Sequence, residues 1–290
     1  MILGIDPKVD YAFKRVFGRE QNRDVLTSIL EAVLAETEFA VIADLEILNP
    51  FNERDTADDK LSIVDVRARE ESGEVFNVEM QLLPFRALPK RLLYYWSVSH
   101  SEQLEKGSAY TGLKPTIVVC FADYVVFQEH SRCHSRFRVV DSVGHVLCPD
   151  LEIHLFELPK FTPNLNAVMT PLEQWLFFLR EASNLDPENI PSAITLPAIH
   201  KAIQELHMIT LNEADHELYE SRLKYWRDEQ ARLAEQRAEG RQEGVILGRI
   251  QMLESLLGLP SSPISQVDSQ SIDELLRIEA ELKAKWAKQT

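Results

Sequence analysis

Asp65, Glu79 and Gln81 are the residues of this chain whose types and spacing could do chemistry. Residues 61–69 and 75–82 read as two strands, and Glu71-Ser72-Gly73 between them suits a three-residue hairpin loop with glycine in the left-handed position. With residue 70 facing residue 74, Asp65 lies directly across from Glu79, their Cβ atoms about 5 Å apart. Alternate residues of a strand share a face, so Asn77 and Gln81 join the two carboxylates. The other face carries Val64, Val66, Ala68, Phe76, Val78, Met80 and Leu82, which marks it as the core side. Two opposed carboxylates are hard oxygen ligands of the kind Mg²⁺ takes, and one or two suffice beside water and a substrate phosphate. Such an ion polarises a phosphate and acidifies a water for in-line attack, which is the chemistry of phosphodiester hydrolysis. Gln81 would hold the attacking water or the phosphate. A solvated strand face that happens to be acidic is the alternative that spacing leaves open.

Other residues invite weaker readings. His130, Cys133, His134 and Cys148 are zinc-ligand types, but their spacing matches no familiar finger and a loop with scattered His and Cys is the simpler account. Tyr94, Tyr95 and Trp96 could stack on a base, although an aromatic cluster on a helix beside a sheet is more often core. No Gly-rich phosphate loop and no Gly-x-Ser-x-Gly elbow occurs.

The elements that must position the hairpin follow from periodicity. Asp6-Pro7 reads as a helix start, with Phe13 and Phe17 on one side of the helix and Gly18 stopping it. Residues 22–36 form an amphipathic helix through Val25, Leu26, Ile29, Leu30, Val33 and Leu34. Residues 41–48 are a strand candidate, followed by the polar stretch 49–59. A long helix over 88–105 carries Arg91, Tyr94, Tyr95 and Gln103, and Lys114-Pro115 precedes a strand over 117–121. Residues 136–140 and 152–158 read as further strands, and Thr170-Pro171 opens a helix with Trp175, Leu176, Phe178 and Leu179. Residues 213–257 are charge-rich and helical, with Gly240, Gly244 and Gly248 spaced by four and a thin apolar stripe ending in Ile246, Ile250, Leu253 and Leu257. That suggests an exposed arm that associates with another helix, and so a homo-oligomer or a partner contact. A last helix opens on the capping box Ser271-x-x-Glu274 and presents Leu275, Ile278, Leu282 and Trp286 on one face. Two domains are therefore expected, 1–212 and 213–290.

Composition bounds the class. A chain of 290 residues with 45% hydrophobic and 27% charged residues is an ordinary globular protein of one or two domains. Three cysteines without paired spacing argue against a disulfide framework and for a reducing cytoplasm. Residues 1–9 lack the pattern of a signal peptide, and the longest apolar run, near 116–127, is far short of a membrane span. The net charge of −15 counts against a broad basic DNA-binding surface, yet leaves room for a local one beside a carboxylate metal site.

Asp65 followed by Glu79-Met80-Gln81 in a strand–turn–strand context resembles the D…(D/E)-x-K signature of PD-(D/E)XK nucleases, with Gln in the place of Lys. Further segments, in order, are similar to the recombination-promoting nuclease/transposase branch of that superfamily. They are Asp10-Tyr11-Ala12-Phe13-Lys14 with Phe17-Gly18, Ile63-Val64-Asp65-Val66, Phe76 to Gln81, Tyr94-Tyr95-Trp96-Ser97, Leu113-Lys114-Pro115 and Phe156 to Lys160. The resemblance covers roughly residues 1–257, glycine-spaced helix included. It implies an α/β restriction-endonuclease-like core, a mixed central sheet flanked by helices, with an α-helical C-terminal extension. It also implies a DNA endonuclease using Mg²⁺ or Mn²⁺ and linked to recombination or mobile DNA. Asp65 and Glu79 would be metal ligands, and Gln81 would stand in the lysine's place. Gln carries no charge and is neither acid nor base, so Lys60 or Arg91 would have to supply the positive charge. A further acid from an N-terminal helix is usual in the superfamily, and Asp10 is preferred over Glu31 because it lies in a matching segment. The alternative is a catalytically weak nuclease fold that acts as a binding or assembly module through its C-terminal helix.

Overall fold

The computed structural model describes residues 2–49, 65–163, 169–260 and 271–288. Lys60 and residues 61–64 of the first hairpin strand lie outside the described residues. The chain divides into two compact units, Met1–Lys224 and Tyr225–Thr290.

The first unit is organised by a six-stranded sheet of β1 (Leu45–Ile47), β2 (Val66–Glu70), β3 (Val75–Gln81), β4 (Thr116–Ala122), β5 (His134–Arg138) and β6 (Leu151–Glu157), in the order β1-β2-β3-β4-β6-β5. β1, β2 and β3 are antiparallel neighbours, β3, β4 and β6 run parallel, and β5 closes the edge antiparallel to β6. The β2–β3 hairpin has the register expected from alternation: Val66 faces Val78, Arg67 faces Asn77 and Ala68 faces Phe76. Gly73 turns it with φ at 107°, and a Cβ there would come within 2.9 Å of the Lys114 side chain, so both backbone and space require glycine.

A parallel step from β3 to β4 needs a crossover, which α3 (Leu88–Ser101) supplies. Leu88 and Leu92 of α3 pack on Val118, Cys120 and Ala122 of β4 and on Ile153 and Leu155 of β6. The second helical layer comprises α1 (Asp10–Phe17), α2 (Arg23–Leu34), α4 (Pro171–Glu181) and α5 (Pro197–Leu211), packed on one another. Phe13, Phe17, Trp175 and Phe178 form a chain of ring contacts through this layer. Thr170 caps α4 in a capping box with Glu173.

Some boundaries differ from expectation. The first helix begins at Asp10, not at Asp6-Pro7, because the Asp6 carboxylate accepts the Lys8 N–H (2.9 Å) and closes a local turn instead of capping a helix. Gly18 does end that helix, its amide bonded to the Lys14 carbonyl at 2.7 Å. The strand expected over 41–48 narrows to Leu45–Ile47, and the crossover helix stops at Ser101. α5 was not anticipated, although Ile199, Ile203 and Leu206 bury one side of it.

α6 spans Glu213–Leu256. Its first turns belong to the first unit: Asp215 accepts hydrogen bonds from Tyr11 Oη (2.7 Å) and from Arg15, and Tyr219 Oη accepts the Asp6 N–H at 2.9 Å. In the second unit, Ile246, Ile250 and Leu253 pack against Leu275 and Leu282 of α7 (Ile272–Trp286), so the apolar stripe of α6 is covered by a helix of the same chain. The Ser271/Glu274 capping box opens α7 as its sequence indicates. Among the described residues no helix is long and apolar enough to cross a membrane.

Candidate active site

β3 brings the carboxylates together at its carboxyl end. The Asp65 N–H donates to Glu79 Oε1 at 3.1 Å, and the Met80 N–H donates to Asp65 Oδ2 at 2.8 Å, so the two acids are tied across the hairpin. Gln81 Nε2 donates to Glu79 Oε2 at 3.1 Å. This polar face is not a solvated strand face. Glu79 is 1% exposed and Asn77 fully buried, because α3 covers them; Asn77 Nδ2 donates to Ser99 Oγ of α3 at 2.8 Å.

The same helix delivers a cation. Arg91 Nη1 reaches Gln81 Oε1 at 3.4 Å, its Nε donates to Tyr95 Oη, and its guanidinium lies 5.0 Å from the Tyr95 ring and 5.7 Å from the Phe85 ring. Arg91 and Tyr95 are one turn apart on α3 and therefore share a face. That spacing, read together with a Gln in the lysine's place, is the sequence signal for this cation.

Burial sets the electrostatics. It pushes Asp65 up to about 6, helped by the negative charge of Asp10 and opposed by the Met80 amide, Lys14 and Arg91. Glu79 is held well above the ordinary carboxylate range by burial and then by Asp65, with Arg91 pulling the other way. Two adjacent acids out of water resist joint ionisation, and a divalent cation between them removes that penalty. The donor set, two carboxylates with few other ligands, fits a hard ion that keeps waters, as Mg²⁺ and Mn²⁺ do. Among the described residues no group of three or more His, Cys, Asp or Glu converges on one point.

The remaining sequence candidates are placed as follows. Asp10 opens α1, pairs with Lys14 at 3.0 Å, and acts on Asp65 through its charge. Glu31 lines a separate cavity of about 630 Å³ with His134, Arg136 and His154. That cavity lies on the other face of the sheet, since His154 alternates with Ile153 and Leu155, which meet α3. His134, one of the four zinc-type residues, bonds to His154 at 3.0 Å, and His154 bonds to Glu152 at 2.8 Å. Burial, then His154 and Arg136, lower His134 to about 4, so this buried chain of hydrogen bonds holds a neutral imidazole.

A family model described as PD-(D/E)XK nuclease family transposase matches residues 7–236. The chain belongs to that family. No curated protein and no solved structure matches it. As a PD-(D/E)XK family member the chain has the mixed sheet flanked by helices that its sequence led us to expect. The matched range contains the hairpin that carries Asp65, Glu79 and Gln81. The family ties the chain to nuclease chemistry and mobile elements in general terms.

Proposed function

We propose that this chain is a Mg²⁺- or Mn²⁺-dependent DNA endonuclease acting in recombination or on mobile DNA, with Asp65 and Glu79 as the metal ligands. The observation that carries the proposal is the Asp65–Glu79 pair, Glu79 buried and Asp65 half-buried, tied across the hairpin with the Arg91 guanidinium beside it on Gln81. When bound, the ion supplies Lewis acidity at the scissile phosphate and acidifies the attacking water. Glu79 is fixed for its role by Gln81 Nε2, and Asp65 by the Met80 amide. Arg91 takes over the charge that lysine provides elsewhere in the superfamily, offering a positive group to the phosphate oxygens from the adjacent helix. Lys60, at the start of the first hairpin strand, is proposed as a second cation, and Asp10 as the N-terminal acid that joins the metal site. The substrate is DNA, and the chain works in the cytoplasm.

Isothermal titration of Mn²⁺ and Mg²⁺ into the wild type and Asp65→Ala tests the site without relying on turnover. Binding that is lost in the variant is expected; binding indifferent to Asp65 would remove the metal site from this hairpin.

A second reading, a catalytically weak nuclease fold that serves as a binding module, is favoured by Gln81 in the lysine's place and by the net charge of −15. Metal binding through Asp65 together with DNA cleavage separates the first reading from it. Self-association through residues 213–257 belongs to the same proposal. A Cβ at Gly240, Gly244 or Gly248 would meet nothing within 4 Å, so the helix is bare along that line for close approach. Light scattering that reads the full chain as a monomer at micromolar concentration would remove this part.

A further inference from the structure

The chain from Met80 to Ser101 contains no Asp or Glu, yet holds Arg86, Lys90 and Arg91, within a protein of net charge −15. This stretch runs out of the catalytic hairpin and along α3, beside the paired carboxylates. Arg91 is spent on Gln81 and Tyr95. Arg86 and Lys90 are exposed, and neither has an ion-pair partner among the described residues. Two aromatic rings accompany them. Phe85 is 45% exposed and Tyr94 58%, whereas their neighbour Tyr95 is buried.

The rings are not scattered over the surface. The Phe85 ring lies against the Arg91 guanidinium at 5.7 Å, and the Tyr94 ring lies 6.2 Å from that of Tyr95, which packs on the same guanidinium. The two exposed rings thus flank Arg91, the cation that bonds to Gln81 beside the carboxylates. Phe85 is held in place, since its N–H donates to Tyr124 Oη at 3.3 Å and its carbonyl accepts the Leu88 N–H at 3.0 Å. Lys90 and Tyr94, four apart on α3, share an exposed line.

Cations without acids beside them attract a phosphate backbone. Exposed rings add stacking, and stacking is available only to bases not already stacked in a duplex. Resting on the nuclease reading above, we infer that the site takes DNA with unpaired bases, a single strand or the splayed arm of a fork. Phe85 and Tyr94 stack on bases, and Arg86 and Lys90 hold the phosphates between them. These four residues determine substrate form, and the carboxylates and Arg91 perform the cleavage.

Fluorescence anisotropy of the full chain in EDTA, with a labelled single strand, a fork and a blunt duplex of one sequence, tests this without turnover. The wild type should bind the single strand and the fork roughly tenfold or more tighter than the duplex, the size of one to two stacked bases. Phe85→Leu with Tyr94→Leu, two exposed positions where leucine keeps the apolar bulk, should bring that ratio close to one. Arg86→Ala with Lys90→Ala should weaken all three complexes and flatten the salt dependence by about two charges. Equal wild-type affinities, or a preference that survives the loss of both rings, would overturn the inference. If Asp65-dependent plasmid cleavage accompanies equal affinities, only the substrate inference falls. Absence of binding to any of the three DNAs would overturn it together with the nuclease reading.

Discussion

Replacing Asp65 with Asn should stabilise the folded chain above neutral pH. In the fold this carboxyl is raised from its ordinary value of 3.8 to about 6 by burial and the neighbouring acid. Such a group carries an energetic cost whenever it is ionised. The difference corresponds to at most about 3 kcal/mol, at 1.36 kcal/mol for each tenfold change in proton affinity. The sign follows from proton uptake. Below about pH 4 the carboxyl is protonated in both folded and unfolded chains and costs nothing. Between about 4 and about 6 the folded chain holds the proton and the unfolded chain has lost it, so wild-type stability falls as pH rises; above about 6 the full cost applies. Asn cannot ionise, and its side-chain oxygen can still accept the Met80 N–H that Asp65 accepts. In EDTA at pH 8, Asp65→Asn should unfold on the order of 5–10 °C above the wild type. At pH 5 the gap should shrink to about half, following the linkage relation. Saturating Mn²⁺ should raise the wild type and leave the variant unmoved. Thermal unfolding followed by near-UV circular dichroism reads all three. A variant no more stable than the wild type at pH 8, or a gap that ignores pH, would refute the claim that the fold raises the proton affinity of Asp65.

Two further outcomes follow from the same contacts. Arg91→Ala should lower cleavage roughly 10²–10³-fold, the usual loss for one charge-stabilising donor, and Gln81→Lys in that background should recover part of it in single-turnover assays. Recovery would place the two side chains in one role, whereas a Gln81→Lys effect independent of Arg91 would separate them. Asp215→Ala should destabilise the first unit by about 1.5–3 kcal/mol in urea unfolding, since it removes the buried hydrogen bonds from Tyr11 and Arg15 while Glu205 stays beside the guanidinium at 3.7 Å. A loss under about 1 kcal/mol would show that α6 is not anchored through this pair.

The hairpin was legible in the sequence because strand alternation has a period of two and Gly73 fixes the turn, which leaves one register for Asp65 and Glu79. What covers the acidic face was not legible. Asn77 and Glu79 look like solvated strand positions until α3 is folded over them, and that is a tertiary event with no local signature. Arg91 was visible as a nearby cation, yet its hold on Gln81 depends on the crossover path of α3. The start of the first helix was misplaced because Asp6 closes a turn on Lys8, a choice that Asp-Pro leaves open. The stripe Ile246–Ile250–Leu253 correctly announced a helix partner, but periodicity does not say whose helix, and α7 of the same chain covers it. α5 was not read from the sequence; Pro197 stands at its start, where the missing N–H costs nothing.

The most direct test incubates the purified full chain with supercoiled plasmid in Mg²⁺ and in Mn²⁺, beside Asp65→Ala. Nicking or linearisation by the wild type, abolished in EDTA and in the variant while the variant's circular dichroism is unchanged, is the predicted result. Equal cleavage by both proteins, or none by a folded wild type that binds Mn²⁺, would contradict a metal-dependent endonuclease built on Asp65 and Glu79.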